Sequence, residues 1–455
     1  ITWKVTKGDI SGATENSKYF LFYPYLNIPQ EQLQFGDLDT EVFSQYISWY
    51  GYELEQDTHD KYTNSDLMTA TGTLSKGADN KLKVSFFLKH KMALAVIEVP
   101  KTVYKFEGTS IPDYIVPTRV DFKDSKYKPL RMEDGTYRFV SNPELVKDDH
   151  DIIGTINGSK KFIIPAKKLK EDIAKGTYKT FRIGGGAAGT PIEKNYTLQV
   201  GDYLMKDGNL ISKDETETLT AAQKADVAAI VFYAPNISER TTPASLTDDQ
   251  VMVAEHPNCT NGLAVAVKEL NDGNSMVWQT TAESVESFQN SSNFTHANKD
   301  KFVSIATFPI TKNEGNFTKI YGYQNTQVLF AYNDYCTKNS MTDKIVKPAA
   351  AIAGFTDANP APTGSTGWFI PSAKEMHILC YKDVDNVLDN GKSHTVTRDK
   401  VNESLTAVGG VVLGDGYYWS SSETNTAQID VKFSTAGFYG QIKTMGRLVR
   451  CVCAF

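Results

Sequence analysis

The sequence predicts a mainly β protein, with two tandem β-sandwich domains followed by a larger α+β domain. Its 455 residues include 23 Tyr and 23 Phe, and aromatic side chains favour strands. Through residue 183, short apolar runs alternate with turn signals such as Asp134-Gly135, a spacing typical of sandwiches. The predicted domains are 1–104, 105–183 and 191–455, with a glycine-rich linker at 184–190.

The first domain is predicted from one clear alternation and its neighbours. Lys81–Leu88 alternates apolar and polar side chains, which indicates a half-buried strand. Ala93–Val99 is a second β-like run. Pro24 interrupts the aromatic stretch Tyr19–Leu26 and assigns it to a sheet edge, because proline cannot donate to a strand ladder. Ser65–Leu74, with a glycine and several threonines, predicts a turn or a short edge strand.

The second domain is predicted to hold five short strands and one helix. The helix covers Lys168–Lys175 and ends at Gly176, since glycine is a common helix stop. The predicted strands are Tyr114–Phe122, Tyr137–Val140, Asp151–Ile156, Lys161–Pro165 and Thr177–Ile183.

The linker segment Gly184–Gly189 reads GGGAAG and matches the dinucleotide-binding pattern G-x-G-x-x-G. That pattern holds a phosphate only where a strand enters it and a helix leaves it. Here Pro191 and the β-like Tyr196–Val200 follow. The pattern therefore predicts a linker and not a nucleotide site.

The third domain begins with three predicted strands. Gly201–Leu210 indicates a strand and a turn around Asp207-Gly208, while Val227–Tyr233 and Gly262–Val267 indicate buried strands. Further along, Trp278–Phe288 and Asp300–Thr307 fit a helix or a loop.

Three motifs mark the last ninety or so residues. Gly367–Leu379 (GWFIPSAKEMHIL) predicts a short strand, a turn and an amphipathic helix opened by Ser372. Tyr418–Glu423 (YWSSSE) sets aromatics beside hydroxyls, and Gly446–Phe455 predicts a final strand.

Composition limits the function classes. The formal net charge is −6 and the pI is near 5.8, so the chain lacks the basic character of a nucleic-acid-binding protein. No apolar run reaches the roughly 20 residues that cross a bilayer.

Metal and catalytic signatures are weak. Asp383, Asp385 and Asn386 resemble the opening of a calcium loop, but Leu388 and His394 occupy the positions where an EF-hand needs Gly and Glu. The seven histidines are scattered, without the spacing of a zinc helix. We predict no metal, no cofactor and no catalytic residue.

The five cysteines all lie in the second half of the chain. Cys451 and Cys453 are two apart on a predicted strand, so both point to one face and cannot easily bridge each other. Cys380, on the Ser372 helix, is a candidate disulfide partner for one of them. The alternative is that each cysteine is a small buried apolar residue.

Three residues of the YWSSSE motif are candidates for ligand binding. Trp419 offers a stacking face to a sugar, and Ser421 and Glu423 offer polar contacts. The alternative is that Trp419 fills the core and the serines form a bonded corner. Trp368 and Pro371 are interpreted as fold determinants.

Two parts of the chain resemble a known family. In Ser65–Val99, the pattern S-D-L-M-x-A-x-G followed by a strand with F-x-x-H resembles the N-terminal domain of the fimbrillin (Mfa-like, type V pilin-like) family of Bacteroidales. Lys161–Ile183 resembles the end of the second fimbrillin domain. Pro191–Phe455 is similar to the large C-terminal region of some members, and its last three motifs resemble a C-type-lectin-like domain.

The resemblance implies a non-catalytic surface adhesin, exported as a lipoprotein whose lipid anchor lies outside this chain. It implies a location on the outer membrane or a pilus, and pilin partners joined by strand exchange. The ligand would be a glycan or a host protein, bound by the C-terminal domain. Because Phe455 closes that domain, we expect a tip or accessory position and not a place within the stalk.

Two alternatives remain open at this stage. One is a surface lipoprotein that binds glycans for nutrient capture, without a pilus. The other is an enzyme that resembles the formylglycine-generating oxidases, for which Cys451 and Cys453 are the only close thiol pair.

Overall fold

The computed structural model describes residues 19–24, 50–76, 82–156, 160–184, 189–240, 243–306, 315–384, 395–424 and 427–455. The chain is mainly β, as predicted. Its contacts divide it into an N-terminal unit, residues up to 103 with 115–194, and a C-terminal unit, residues 104–114 with 195–455.

The strands of the first part of the chain are β1 Tyr19–Tyr23, β2 Met68–Lys76, β3 Leu82–Ser85, β4 Lys89–His90, β5 Ala93–Glu98, β6 Thr102–Phe106, β7 Tyr114–Val116, β8 Val120–Asp121, β9 Leu130–Arg131, β10 Tyr137–Ser141, β11 Ile152–Ile156, β12 Lys160–Ile164, β13 Tyr178–Arg182 and β14 Ile192–Tyr196.

The remaining strands are β15 Tyr203–Met205, β16 Leu210–Ile211, β17 Val227–Tyr233, β18 Leu263–Ala266, β19 Met276–Val277, β20 Tyr417–Thr424, β21 Ala427–Lys432, β22 Gly437–Gln441, β23 Gly446–Arg447 and β24 Val452–Ala454. The α-helices of the described residues are α1 His59–Ser65, α2 Ala166–Glu171, α3 Ala221–Asp226, α4 Gln250–Glu255, α5 Val285–Gln289, α6 Gly322–Lys338, α7 Lys347–Ala358, α8 Ala373–Cys380 and α9 Val396–Ala407.

Three sheets build the N-terminal unit, with strand orders β1-β2-β3, β13-β5-β10-β9 and β12-β11-β8, and β4 also pairs with β2. Alternation explains the core, because Ala93, Ala95 and Ile97 of β5 are fully buried while the residues between them are half-buried. Further strands add Phe139 and Ile152 to the same core.

The N-terminal strands follow the predictions with two corrections. β1 lies at a sheet edge, as Pro24 predicted. The predicted turn or edge strand Ser65–Leu74 is instead β2, which has β1 on one side and β3 on the other. Glycine at position 72 gives β2 the room that it needs between its neighbours, because a Cβ on this residue would lie 2.6 Å from the Phe86 ring.

Strand pairing crosses the boundary predicted at residue 104, and residues 115–194 belong to the same unit as the residues up to 103. β5, assigned to the first domain, pairs with β10 and with β13, both assigned to the second. Hydrogen bonds between strands remote in sequence decided this, and no local pattern carries that information. The helix predicted over Lys168–Lys175 is instead α2, Ala166–Glu171. Gly176, predicted to end it, has a positive φ of 74°, a conformation that favours glycine. Of the predicted linker, residues 185–188 lie outside the described residues.

A five-stranded sheet of order β16-β15-β17-β18-β24 is the centre of the C-terminal unit. β17 lies in the middle and is buried along its whole length. A second sheet has the order β20-β21-β22, and β19 pairs with β23. The predicted strands around Val227–Tyr233 and Gly262–Val267 are confirmed.

Helix α8 begins where the sequence predicted. Ser372 accepts a hydrogen bond from the backbone N–H of Glu375, and the Glu375 carboxylate accepts one from the backbone N–H of Ser372, which is a capping box. The sequence analysis did not predict α6, α7 or α9. α6 buries Gln324, Asn325 and Thr326 beside its apolar residues, so its sequence does not show the clear apolar stripe that marks an amphipathic helix.

Candidate functional site

The three residues predicted to bind ligand lie in the interior of the C-terminal unit. Trp419, Ser421 and Glu423 are each 0% exposed. Their strand, β20, packs against α6 and α8. A ligand in solution cannot reach these side chains, so their prediction as a ligand-binding surface is corrected.

Each of them has a partner inside the protein. The Trp419 Nε1–H donates to the carbonyl of Met276 at 2.8 Å, and its ring contacts that of Trp278 edge-on at 5.9 Å. The Ser421 hydroxyl accepts from the Asn325 amide at 3.3 Å. The alternative, in which Trp419 fills the core and the serines form a bonded corner, therefore describes the motif.

Glu423 belongs to a buried ion pair. Its carboxylate lies 3.1 Å from the Lys443 ammonium and accepts from the backbone N–H of Val285 at 3.1 Å. Burial raises the pKa of Glu423, and Lys443 opposes that rise; burial likewise lowers the pKa of Lys443. Removing either partner would leave the other charge buried and unpaired, which strongly destabilises a folded protein. Glu423 thus joins β20 to the N-terminus of α5.

The predicted disulfide is absent from the structure, which contains all five cysteines as buried thiols. The Cys380 thiol donates to the carbonyl of Phe433 at 2.9 Å. Burial raises the pKa of Cys380 and of Cys451 to about 12, and that of Cys453 further. Thiols that stay protonated in this way are poor nucleophiles.

Two buried aspartates of the C-terminal unit, one of them from the predicted calcium-like loop, have protein partners. Asp202 is fully buried and accepts from Tyr196 at 2.7 Å and from two backbone N–H groups. Asp383 pairs with Lys374 at 2.7 Å, while Asp385 and Asn386 lie outside the described residues. The described part of the chain holds no cluster of three or more His, Cys, Asp or Glu side chains suited to a metal. Nor does it contain a helix long and apolar enough to span a membrane.

An open cleft of about 160 Å³ lies on the C-terminal unit. We call it the lysine cleft and define it by Lys206, Lys268, Phe355 and Trp368. The two aromatic rings meet edge-on at 6.0 Å, and the Trp368 Nε1–H donates to the carbonyl of Asn359 at 2.7 Å. The Lys206 ammonium donates to the carbonyl of Ala225 at 2.9 Å and lies 3.7 Å from Asp226, while Lys268 is exposed. A cation beside an apolar floor suits a small polar ligand with a flat apolar face.

Backbone geometry positions Lys206. Its N–H donates to the carbonyl of Asp226 at 2.9 Å, and its carbonyl accepts from the N–H of Thr363 at 2.9 Å. The turn that follows needs Gly208, which has φ +87° and where a Cβ would lie 2.3 Å from the Thr363 carbonyl oxygen. Asp207 accepts from the N–H of Asn209 at 2.9 Å, the backbone bond expected of a turn aspartate.

Sequence reasoning found pieces of this cleft but not the cleft itself. It identified the turn that carries Lys206 and named Trp368 a fold determinant, which fits a side chain only 5% exposed. Phe355 lies on α7, which was not predicted. The four residues that define the cleft come from four separate segments of the chain. Local residue spacing does not indicate which distant segments come together.

Comparison with known proteins gives one clear relative. A Bacteroides ovatus protein named "Putative fimbrium tip subunit Fim1C" is 28% identical over 436 residues, which cover 90% of this chain and 73% of that protein. The crystal structure of a fimbrial protein from Bacteroides ovatus ATCC 8483 matches at 24% identity with a TM-score of 0.44, over 96% of this chain and 85% of that one. No protein-family profile matches. The similarity to the tip subunit supports the fimbrillin resemblance.

Proposed function

We propose that this protein is a non-catalytic subunit of a cell-surface fimbrium and acts at its tip as an adhesin. The observation that carries the proposal is the 28% identity to a protein named as a fimbrium tip subunit, because it extends over 90% of this chain. An alignment of that extent includes both the N-terminal and the C-terminal unit. Location on the fimbrium, outside the cell, follows from the same relationship.

In this proposal the N-terminal unit joins the fimbrium by accepting a strand from a neighbouring subunit. Edge strands support it, since the outer backbone of an edge strand is a template for another strand. β12 lies at the edge of its sheet, with Ile163 58% exposed, and β13 lies at the edge of another, with Tyr178 71% exposed. Apolar side chains on such edges are the contacts that an incoming strand would bury.

The strand β24 is not the donor in this scheme. It pairs with β18 inside the C-terminal unit, and the backbone N–H of Asn261 donates to the carbonyl of Phe455 at 2.8 Å. Releasing β24 would expose Cys453, which is fully buried. β24 is therefore part of the core of the C-terminal unit.

Adhesion is assigned to the C-terminal unit, which we continue to interpret as lectin-like. The lysine cleft replaces Trp419, Ser421 and Glu423 as the proposed contact with a glycan or host ligand. The enzyme alternative loses support, because Cys451 and Cys453 are buried and burial raises the pKa of both thiols.

The test is to locate the protein on fimbriae of the cells that produce it. Fimbriae sheared from the surface are purified, and antibodies against this chain are applied with gold labels in electron microscopy. We expect the chain to copurify and the gold to lie at one fibre end. Labelling along the whole fibre would contradict the tip position, and absence from the fibres would contradict the fimbrial role.

Adhesion is tested separately with glycan and host-protein arrays. The full chain is compared with Lys268→Glu, which reverses an exposed charge of the lysine cleft, and with Lys167→Glu, which reverses an exposed charge on α2. We expect the Lys268 variant alone to lose the specific signal. Equal binding by both variants would remove the cleft from the proposal and leave the fimbrial role intact.

A further inference from the structure

A pocket of about 400 Å³ in the N-terminal unit is lined by four cationic side chains. We call it the cationic pocket and define it by Arg119, Lys123, Lys128 and Arg131. Two carboxylates, those of Asp57 and Asp121, also line it. The lining therefore carries a net charge of +2 on a chain whose formal net charge is −6.

The pocket forms where the edges of two sheets meet. Arg119 and Lys123 flank β8, the edge of the sheet β12-β11-β8, and Arg131 ends β9, the edge of the sheet β13-β5-β10-β9. Tyr137 connects the two edges, because its hydroxyl accepts from the backbone N–H of Val120 at 2.8 Å. Strand alternation then turns Val120 inward and its neighbour Arg119 outward.

The acidic groups nearby are already bound. Asp57 pairs with Lys61 at 2.9 Å, and Asp121 accepts from the backbone N–H of Lys123 at 2.7 Å. Asp124, the acidic residue next to Lys123, pairs with Lys161 at 2.7 Å.

The cationic side chains of the pocket differ in the contacts that they make within the protein. Lys128 shares its charge with Glu55 in an ion pair. Arg131 donates through Nη2 to the carbonyl of Pro117 at 3.4 Å, and its Nε has no hydrogen-bond partner among the described residues. The Arg131 Nε is buried, so the accessible positive charge of the pocket lies mainly on the exposed side chains of Arg119 and Lys123.

The floor of the pocket is apolar. Val120, Phe122, Pro129 and Tyr137 are all buried and line it beneath the cations. The rings of Phe122 and Tyr137 pack edge-on at 5.1 Å. A ligand that fits must combine an apolar face with negative charge at its edges.

We propose that the cationic pocket binds an acidic polysaccharide, a chain of sugar rings carrying sulfate or carboxylate groups. Each ring has an apolar face for the floor. Its anionic groups match the forked donors of a guanidinium and the point charge of an ammonium. The net charge of −6 acts equally on every long polyanion, so single-stranded DNA enters the test as the competing ligand.

The test uses the full chain and titrations at about 50 mM salt, where exposed charges are weakly screened. The probes are heparin, which carries sulfate and carboxylate, polygalacturonate, which carries carboxylate alone, neutral dextran, and single-stranded DNA. We expect binding to heparin, weakening as salt rises. Binding to polygalacturonate as well would show that carboxylates suffice, and its absence would assign the recognition to sulfate.

Paired variants locate the site. Arg119→Glu with Lys123→Glu reverses two exposed charges of the pocket, and Lys101→Glu with Lys167→Glu reverses two exposed charges elsewhere on the same unit. We expect the first pair to weaken heparin binding at least about tenfold and the second less than about threefold. Unchanged thermal unfolding confirms that both variants are folded.

Four results would overturn the proposal. They are no binding to either acidic polysaccharide, equal binding to dextran, tighter binding to DNA than to heparin, and equal loss in the two paired variants. The last would assign the binding to general charge and not to the pocket.

Discussion

Glu375 should make the stability of this protein depend on pH in a way that one substitution removes. The residue is fully buried on α8, one carboxylate oxygen accepts from the backbone N–H of Ser372 at 2.5 Å, and the other has no hydrogen-bond partner among the described residues. Burial is the main cause that raises the pKa of Glu375 from 4.5 to about 8. The folded protein therefore keeps a proton that the unfolded chain releases.

The sign and the size of the pH effect on stability follow from the difference between the pKa values of Glu375 in the folded and the unfolded chain. Between the two pKa values the folded state binds more protons than the unfolded state, so stability falls as pH rises from 4.5 to about 8. Each pKa unit corresponds to about 1.4 kcal/mol. From pH 5 to pH 9 the loss amounts to about 4 kcal/mol, which is an upper value for a site that can rearrange.

Glu375→Gln tests this directly. Glutamine keeps the capping box, since its amide oxygen can accept from the Ser372 N–H, but it does not titrate. We expect the variant to gain about 4 kcal/mol over the parent between pH 5 and pH 9, from the same pKa difference. Urea unfolding followed by tryptophan fluorescence measures it, and comparing the change with pH cancels any packing difference.

Glu403→Gln, at an exposed position of the same unit, is the matched control and should follow the parent. Asp202, whose burial raises its pKa to about 6, contributes equally in both proteins and cancels. The charge of Asp249 helps to raise the pKa of Glu375 and is therefore part of the measured difference. If the difference between Glu375→Gln and the parent stayed constant from pH 5 to pH 9, a neutral Glu375 in the folded protein would be refuted.

Three further outcomes are expected. Gly322→Ala should destabilise by about 1–3 kcal/mol, because its Cβ would lie 2.1 Å from a Glu375 carboxylate oxygen; an unchanged urea midpoint would mean that the carboxyl moves aside. Lys443→Met should lower the free energy of unfolding by about 3–5 kcal/mol, because it leaves Glu423 buried without its cation. Adding Glu423→Leu should restore most of that stability in the same urea assay. Native protein at pH 8 should resist iodoacetamide, since burial raises the pKa of Cys451 to about 12, while the urea-unfolded chain should react at all five thiols; rapid labelling of the native protein would contradict the buried site.

Local sequence signals predicted much of the secondary structure. The β-like run Ala93–Val99 became β5, the apolar run Val227–Tyr233 became β17, and Ser372 opened α8. The turn at Asp207-Gly208 formed through its own backbone bonds. Each of these is indicated by residue preferences within a few positions along the chain, so a local pattern was enough to predict it.

Burial and assembly depended on residues far apart. The YWSSSE motif gave a strand, as its aromatic content indicates, but whether Trp419 and Glu423 faced solvent depended on Met276, Val285 and Lys443. The pairing of β5 with β10 and β13 likewise joins residues on both sides of the boundary predicted at residue 104.

Sequence alone therefore determined several strands, the turn at Asp207-Gly208 and the start of α8, and it supplied the fimbrillin resemblance. Only the tertiary structure decided that the predicted sugar-binding residues are core, that the thiols are buried, and that the lysine cleft and the cationic pocket exist. The physical reason is the distance along the chain over which each effect acts. Backbone preferences act between near neighbours, whereas exposure is decided by whichever distant segment covers a face, and one strand pattern fits either outcome.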